Sequence, residues 1–219
     1  MEQLQRTLNW HRARLGKFTG SEVYKLMSKG KGKDKEWSAE GLSYINQKIG
    51  ERLLDNEMVM DDESFNHYLE VTEVTTKAMQ YGIDNEDVAR KEYERINLER
   101  IENQPFIAYN EFFGDSPDGF IREENKAVEI KCLTIEKFVN YKLNCKGAED
   151  LKAIEKKYYW QCVSHMAVLG AGSCEFIVYN EFMKDKIFSV TIERIEDDVK
   201  ELISRVEQAN EYIKSIINI

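Results

Sequence analysis

Apolar residues in the first half of the chain recur mainly with the spacing of helices. This spacing predicts a short helix over Thr7–Leu15, a second over Thr19–Met27 capped by Thr19 or Ser21, and a third that begins at Ser38. A long helix carrying Glu86 is predicted from seven apolar positions: Val71, Val74, Ala78, Tyr81, Ala89, Tyr93 and Ile96. Residues 56–71 are acidic and fit neither a helical nor a strand pattern clearly.

The second half alternates between short β-branched runs and helical runs. Strands are predicted over residues 106–110, 119–122 and 127–133. Two helices, over 135–143 and 149–169, come next, followed by a hairpin of 174–179 with 187–192 and an amphipathic helix over 195–217. This order predicts a mixed α/β fold with a central β-sheet flanked by helices.

Composition narrows the class of protein. The 219 residues are 42% hydrophobic and include only two prolines, and no Ser-, Gly- or Pro-rich linker divides them. We therefore expect one domain spanning residues 1–219. No apolar run reaches the roughly 18 residues of a membrane span, and the first residues lack the pattern of a signal peptide, so the expected location is cytoplasmic.

The formal net charge of −9 argues against a protein that passively coats DNA, but not against an enzyme with a basic groove. Four widely spaced cysteines contain no Cys-x-x-Cys pair, which favours buried, reduced thiols over a four-cysteine metal cluster. The cysteines are Cys132, Cys145, Cys162 and Cys174.

The chemistry of the chain is concentrated between residues 114 and 131. Residues 114–119 read Gly-Asp-Ser-Pro-Asp-Gly, and Glu129 and Lys131 follow on a predicted strand. Strand side chains alternate between faces, so Glu129 and Lys131 point the same way, and the turn at Pro117 can bring Asp118 beside them. Hard divalent cations bind carboxylate oxygens, and a cation-bound water near a lysine can attack a phosphodiester. The pattern therefore predicts a nuclease.

Five segments, in this order, resemble the phage lambda exonuclease and YqaJ viral-recombinase group of the PD-(D/E)XK nuclease superfamily. They are Arg-Leu-Gly at 14–16 with Thr-Gly-Ser-Glu-Val at 19–23, Tyr-Gly-Ile-Asp-Asn-Glu-Asp-Val-Ala-Arg at 81–90, Ser-Pro-Asp-Gly at 116–119, Glu-Ile-Lys-Cys at 129–132 and Tyr-Trp-Gln-Cys at 159–162. The resemblance covers about residues 10–195 and implies a restriction-endonuclease-like core.

The resemblance implies a role for each matching residue. Asp118, Glu129 and the backbone carbonyl of Ile130 would bind the metal ions, and Glu86 would complete the acidic cluster. Lys131 would orient or activate the attacking water. Gln161 would border the site from the next helix. Arg14, Ser21 and Ser116 would hold a 5′-terminal phosphate.

The activity implied is 5′→3′ digestion of one strand of duplex DNA that carries 5′-phosphorylated ends. Two Mg²⁺ ions per site are expected, with Mn²⁺ as a substitute. The resemblance also implies a ring-shaped homotrimer, a phage single-strand annealing protein as partner, and a phage or prophage gene in a bacterial host. An endonuclease or repair nuclease on the same core, or a non-catalytic protein that binds DNA ends, remains the alternative.

Simpler explanations exist for the acidic residues. Glu129 and Lys131 could form a cross-face ion pair on an exposed strand, and Glu86 could pair with Arg90 one helical turn away. Asp115 is interpreted as a turn residue rather than a ligand.

Simpler explanations also exist for the remaining positions. Arg14 could be a helix-end cation, Ser21 a capping residue, and Gln161 an ordinary helix residue. His165 is interpreted as a packing residue. The basic run Lys29–Lys35 is either a solvated loop or a contact to the DNA backbone.

Overall fold

A computed structural model describes residues 5–31 and 36–217. Seven strands lie in these ranges: β1 (Phe18–Thr19), β2 (Ile107–Ala108), β3 (Phe113–Asp115), β4 (Gly119–Ile121), β5 (Lys126–Cys132), β6 (Ser173–Tyr179) and β7 (Ile187–Glu193). Nine α-helices lie in the same ranges: α1 (Leu8–Arg14), α2 (Ala39–Arg52), α3 (Asn56–Met60), α4 (Asp62–Thr72), α5 (Lys77–Asn97), α6 (Ile135–Asn144), α7 (Ala148–Ile154), α8 (Lys156–Leu169) and α9 (Glu196–Ile217).

The strands form two mixed sheets. The larger sheet has the order β4-β5-β6-β7, in which β5 and β6 are parallel and the outer pairs are antiparallel. The smaller sheet has the order β1-β3-β2, with β1 parallel to β3. The predicted α/β fold with mixed sheets and flanking helices is therefore confirmed.

Strand β5 is covered on both faces. Val128 and Ile130 pack with Ala89 and Tyr93 of α5. The opposite face, which includes Ala127, packs against α8 in the main core. Because strand side chains alternate, this second face is the one that carries Glu129 and Lys131. The two charged residues therefore lie beneath a helix.

Several predicted elements have different boundaries. The helix predicted over Thr19–Met27 is wrong: the segment is a 3₁₀ helix over Val23–Met27 that begins after Glu22 and has no side-chain cap. Thr19 instead ends β1, and its N–H donates to Tyr44 Oη at 2.9 Å. Pairing of this segment with β3 outweighs its local preference for a helix.

The predicted long helix also begins later than expected. Val71 lies in α4 and Val74 in the connection, while α5 begins after Thr76, whose hydroxyl accepts from the Met79 N–H at 3.2 Å. The acidic segment 56–71 forms α3 and most of α4. The helix predicted over 149–169 is interrupted at Glu155, which caps α8. Residues 32–35 of the basic run lie outside the described residues.

Two further findings concern the predictions made from the cysteines and from the apolar runs of the sequence. The four cysteines are free, and Cys145, Cys162 and Cys174 are buried as predicted, while Cys132 is only half-buried. Within the ranges described, no helix has the length and apolar character that a bilayer crossing requires.

Gly119 lets β4 approach the segment before β2. A Cβ at this position would lie 2.1 Å from Ile101 Cγ2 and 3.3 Å from the Glu102 carbonyl oxygen. Glu102 and Phe120 exchange backbone hydrogen bonds of 2.9 Å, which fixes this approach. The glycine next to Asp118 is therefore required by packing.

We predict that Gly119→Ala lowers the free energy of unfolding by about 1–3 kcal/mol, because Ile101 must move to admit the methyl group. Gly50→Ala, in open space on the exposed side of α2, should instead raise it by about 0.5–1 kcal/mol. Urea denaturation followed by circular dichroism measures both values. Equal stability of the two variants would contradict this account of Gly119.

Candidate active site

Asp118 is fixed by the pairing of β4 with β5. Its N–H donates to the Val128 carbonyl at 3.1 Å, and its Oδ2 accepts from the Ile130 N–H at 2.7 Å. The turn after Pro117 therefore brings the carboxylate beside β5, as the sequence predicts. Ile130 takes part here through its N–H, and its carbonyl remains a predicted metal ligand.

Glu129 lies on the buried face of β5 and has no solvent exposure. One of its oxygens, Oε2, contacts His165 Nε2, and the other forms an ion pair with Lys131 Nζ. Burial alone would raise the pKa of Glu129, but Lys131 and His165 hold it below its ordinary value. The surface ion pair considered from the sequence is thus a buried pair with a third partner.

Lys131 is likewise charged in this arrangement. Burial opposes its charge, but Glu129 and Asp118 raise the pKa of Lys131 above its ordinary value. Its Nζ also lies 5.2 Å from the centre of the Tyr158 ring on α8. An ammonium donates hydrogen bonds and does not accept them, so Lys131 is suited to orient a water or a phosphate oxygen.

Glu86 projects from α5 and is engaged by two arginines. Its Oε2 lies 3.3 Å from Arg6 and its Oε1 lies 3.6 Å from Arg90, so the pairing with Arg90 expected from the sequence is present. Burial and the charges of Glu86 and Asp118 raise the pKa of the Cys132 thiol to about 12. The charges of the Glu86 and Asp118 carboxylates therefore both act on this one thiol.

Of the three carboxylates, Asp118 is the one whose ionised form its surroundings disfavour. Burial, followed by the charges of Glu129 and Glu86, raises the pKa of Asp118 well above its ordinary value. Asp118 has no ion-pair partner among the described residues, and its donor there is a backbone N–H. Oxygen donors with excess negative charge are what a hard divalent cation requires.

The carboxylates fit such a cation by donor type and charge. In this structure, however, Glu129 and Glu86 are oriented toward cationic side chains of the protein. Over residues 5–31 and 36–217, no three His, Cys, Asp or Glu side chains are grouped closely enough to hold a metal ion as they stand. The reason lies in the contacts described above: Glu129 is turned to His165 and Lys131, and Glu86 to Arg6 and Arg90. Cation binding would exchange some of these partners.

Two functional candidates on α8 differ in how well the sequence predicted them. Gln161 is buried, and its Oε1 has no hydrogen-bond partner within the described part of the chain. His165, one turn later, was interpreted as packing, and this was wrong because it bridges Asp115 and Glu129. Asp115 lies on β3, not in the turn that was expected. The missed signal was a histidine four residues from Gln161, on the same face of the helix.

Arg14 and Ser116 come together next to this cluster. Arg14 Nη1 donates to Ser116 Oγ at 3.3 Å, and Trp10 Nε1 donates to the same oxygen at 2.9 Å. The Arg14 guanidinium lies 4.0 Å from the centre of the Trp10 ring. Burial lowers the pKa of Arg14, while the charge of Asp115 acts in the opposite direction. The guanidinium is therefore desolvated and held in place before any anion binds.

The third residue predicted to hold the phosphate lies in a different structural element from Arg14 and Ser116. Ser21 is half-buried in the turn between β1 and the 3₁₀ helix. No hydrogen bond joins its side chain to Arg14 or Ser116 in the part of the chain described. Arg14 also lines a cleft of about 570 Å³ that extends past Thr19 and Glu22, at either end of this turn.

A family profile and several solved structures are similar to this chain. The profile described as "YqaJ-like viral recombinase domain" matches residues 9–172. No curated protein sequence matches the chain.

Solved structures resemble the chain over nearly its whole length. An alkaline exonuclease, LHK-Exo, from Laribacter hongkongensis is 25% identical with a TM-score of 0.74, over 97% of this chain and 95% of that one. The same enzyme in complex with dAMP gives a TM-score of 0.75 at the same identity and coverage. A phage-related exonuclease from Haemophilus somnus 129PT shares the fold, with a TM-score of 0.70 at 17% identity, over 92% of this chain and 95% of that one. The chain belongs to the YqaJ-like viral recombinase domain family.

Proposed function

We propose that this protein is a divalent-cation-dependent exonuclease that digests one strand of linear duplex DNA from a phosphorylated 5′ end. The product would be a duplex with a 3′ single-stranded overhang, suited to strand annealing in phage-type recombination. The observation that carries the proposal is the tripeptide of Ser116, Pro117 and Asp118, which joins an anion-binding serine to a carboxylate of the acidic cluster.

The tripeptide keeps Ser116, the proposed phosphate-binding residue, close to Asp118 of the acidic cluster. Two residues of chain span at most about 7 Å. Pro117 restricts the backbone between them, so the separation of Ser116 from Asp118 is nearly fixed. A phosphate held by Arg14 and Ser116 would therefore bring a bond close to the end of the strand to the acidic cluster. That arrangement favours removal of terminal nucleotides over internal cutting.

Arg14 is suited to a terminal phosphate rather than to an internal one. A guanidinium makes bidentate, charge-assisted hydrogen bonds to phosphate, and a terminal phosphate carries more charge than a phosphodiester. Ser116 Oγ accepts from Trp10 and Arg14, which leaves its own hydroxyl hydrogen free to donate to the phosphate. The Trp10 ring keeps the guanidinium oriented.

Asp118, Glu129, Glu86 and the Ile130 carbonyl would hold the cation, for which we propose Mg²⁺ with Mn²⁺ as a substitute. A bound divalent cation supplies a water of lowered pKa and neutralises charge that develops on phosphate oxygens. Lys131, as an ammonium, would orient the attacking water or a phosphate oxygen. The unpartnered Oε1 of Gln161 would accept from a water or a nucleotide donor at the border of the site.

The relatives support the same chemistry. LHK-Exo is an alkaline exonuclease, and one of its structures contains dAMP, a deoxynucleoside monophosphate of the kind that exonuclease digestion releases. Family membership extends the proposal to a ring of three subunits and to a phage annealing protein that takes up the 3′ strand.

The first experiment compares a linear duplex with a covalently closed circle of the same sequence. With Mg²⁺ we expect release of mononucleotides from 5′-labelled linear DNA, no loss of the circle, and no reaction in EDTA. Gel electrophoresis and thin-layer chromatography of a time course measure all three. Loss of the circle at the rate of the linear duplex would favour an endonuclease instead.

We predict that Asp118→Asn and Glu129→Gln each lower the cleavage rate by at least about 1,000-fold, because several kcal/mol of transition-state stabilisation depend on the cation. Binding of DNA ends, measured by fluorescence anisotropy in EDTA, should be retained. Asp197→Asn, at an exposed position on α9, is the matched control and should cleave normally. Near-normal turnover of either site variant would show that the cation is bound elsewhere.

We predict that a duplex with 5′-phosphate is digested about 10- to 100-fold faster than one with 5′-hydroxyl, the value of one or two charge-assisted hydrogen bonds. Arg14→Ala should bring this ratio close to one. Arg12→Ala is the matched control, because Arg12 lies on the same helix but donates to Asp62 and the Val59 carbonyl. A ratio that Arg14→Ala leaves unchanged would exclude Arg14 from the phosphate site.

A further inference from the structure

Three buried side chains from three different elements form a continuous line behind the acidic cluster. Asp115 of β3 contacts His165 of α8 through Oδ2 and Nδ1 at 2.7 Å, and the other ring nitrogen, Nε2, contacts Glu129 Oε2 at 2.5 Å. His165 and Glu129 have no solvent exposure, and Asp115 has 2%. Nothing in the sequence motif that contains Glu129 requires this line.

Asp115 is held independently of His165. Its Oδ1 accepts from the backbone N–H groups of Ser116 at 2.8 Å and Gly20 at 3.2 Å, and its Oδ2 accepts from the Ser164 hydroxyl at 2.5 Å. Three donors therefore fix the carboxylate before the imidazole is considered. A ring that contacts so rigid a group at one nitrogen has little freedom at the other.

Gly20 provides the space for this carboxylate. A Cβ at position 20 would lie 1.8 Å from Asp115 Oδ2 and 2.3 Å from its Cγ. A glycine is thus needed wherever Asp115 occupies this position. The close approach of backbone to a buried carboxylate indicates a built site rather than an incidental core contact.

The line determines which oxygen of Glu129 is available. His165 occupies Oε2, and Oε1 is left on the side of Lys131, whose ion pair a cation would replace. Carboxylates that bind metals are commonly oriented by hydrogen bonds from a surrounding layer of residues. The imidazole is placed to orient Glu129 in this way.

We propose that Asp115 and His165 are positioning residues that orient Glu129 for cation binding, with Oε1 as the oxygen presented. The proposal deepens the proposed function and rests on it. Asp115 acts only through His165, so the two residues form one unit with respect to the cation.

The test measures Mn²⁺ binding by the protein without DNA, using the electron paramagnetic resonance signal of free Mn²⁺. His165→Gln and Asp115→Asn should each weaken binding by about 10- to 100-fold, the usual cost of losing an orienting partner. The double variant should bind no more weakly than His165→Gln alone, because residues that act as a unit are non-additive.

Turnover separates positioning from a general loss of structure. In both single variants we expect a lower kcat at limiting Mn²⁺ and recovery of kcat at high Mn²⁺, and in His165→Gln we also expect an unchanged KM for DNA ends. Tyr159→Phe is the matched control: it lies on the same helix, is equally buried, and loses a hydrogen bond to the Asp198 carboxylate. Its Mn²⁺ affinity should equal that of the wild type, and thermal unfolding compares the stability of all variants.

Each outcome decides the matter. Wild-type affinity in folded His165→Gln and Asp115→Asn would overturn the positioning role while leaving the proposed function intact. Equal weakening in Tyr159→Phe, or additive losses in the double variant, would also overturn it. A wild-type protein that binds no Mn²⁺ would overturn the cation-dependent function and the positioning role together. Should His165→Gln fail to fold, the nearly isosteric Asp115→Asn gives the same decision.

Discussion

Burial of the Glu129 carboxylate in the middle of β5 is the constraint on which the rest of the site depends. A charge without solvent exposure is tolerated only if it is paired and hydrogen-bonded. Here the pairing comes from Lys131 on the same strand and from His165 on the covering helix, whose pKa Asp115 and Glu129 raise well above its ordinary value despite burial. The position of α8 over the sheet is therefore tied to the charge beneath it, and the apolar core around it packs in that one arrangement.

The charged residues around Glu129 are largely paired with one another, although the protein as a whole is acidic. Asp115 and Glu129 are matched by His165 and Lys131, and Glu86 is matched by Arg6 and Arg90. Asp118 has no ion-pair partner in the part of the chain that the structure describes, and burial together with the charges of Glu129 and Glu86 raises its pKa. Most acids of the site are thus matched by cationic groups, although the protein as a whole carries a net charge of −9.

The sequence predicted the elements whose signal is local. The 127–133 strand, the hairpin at 174–192 and the final helix were found to within a residue or two because periodicity and turn residues specify them. The turn at Pro117 likewise predicted that Asp118 would pair beside Glu129. Strands β1 and β3 were missed, since both are short and depend on each other across more than 90 residues. The 3₁₀ helix after Thr19 was taken for an α-helix for the same reason.

For the site, the motif predicted that Asp118 would lie beside the strand of Glu129, but not what Glu129 contacts. Glu129 contacts Lys131 on its own strand and His165 on α8, and no spacing in the chain links His165 to its other partner, Asp115 of β3. A lone histidine on an apolar helix is usually a packing residue, and the position of His165 on the same face as Gln161 did not identify its partners. Only the arrangement of three elements in space identifies its partners.

The absence of a side chain at position 20 has an evolutionary consequence. A methyl group there would collide with the acid at position 115. Substitutions at these two positions, 95 residues apart, therefore depend on each other. A lineage that acquires alanine at the first must already have given up the acid at the second, and with it the anchor of His165. Aligned relatives should therefore never combine an acid at position 115 with a residue other than glycine at position 20.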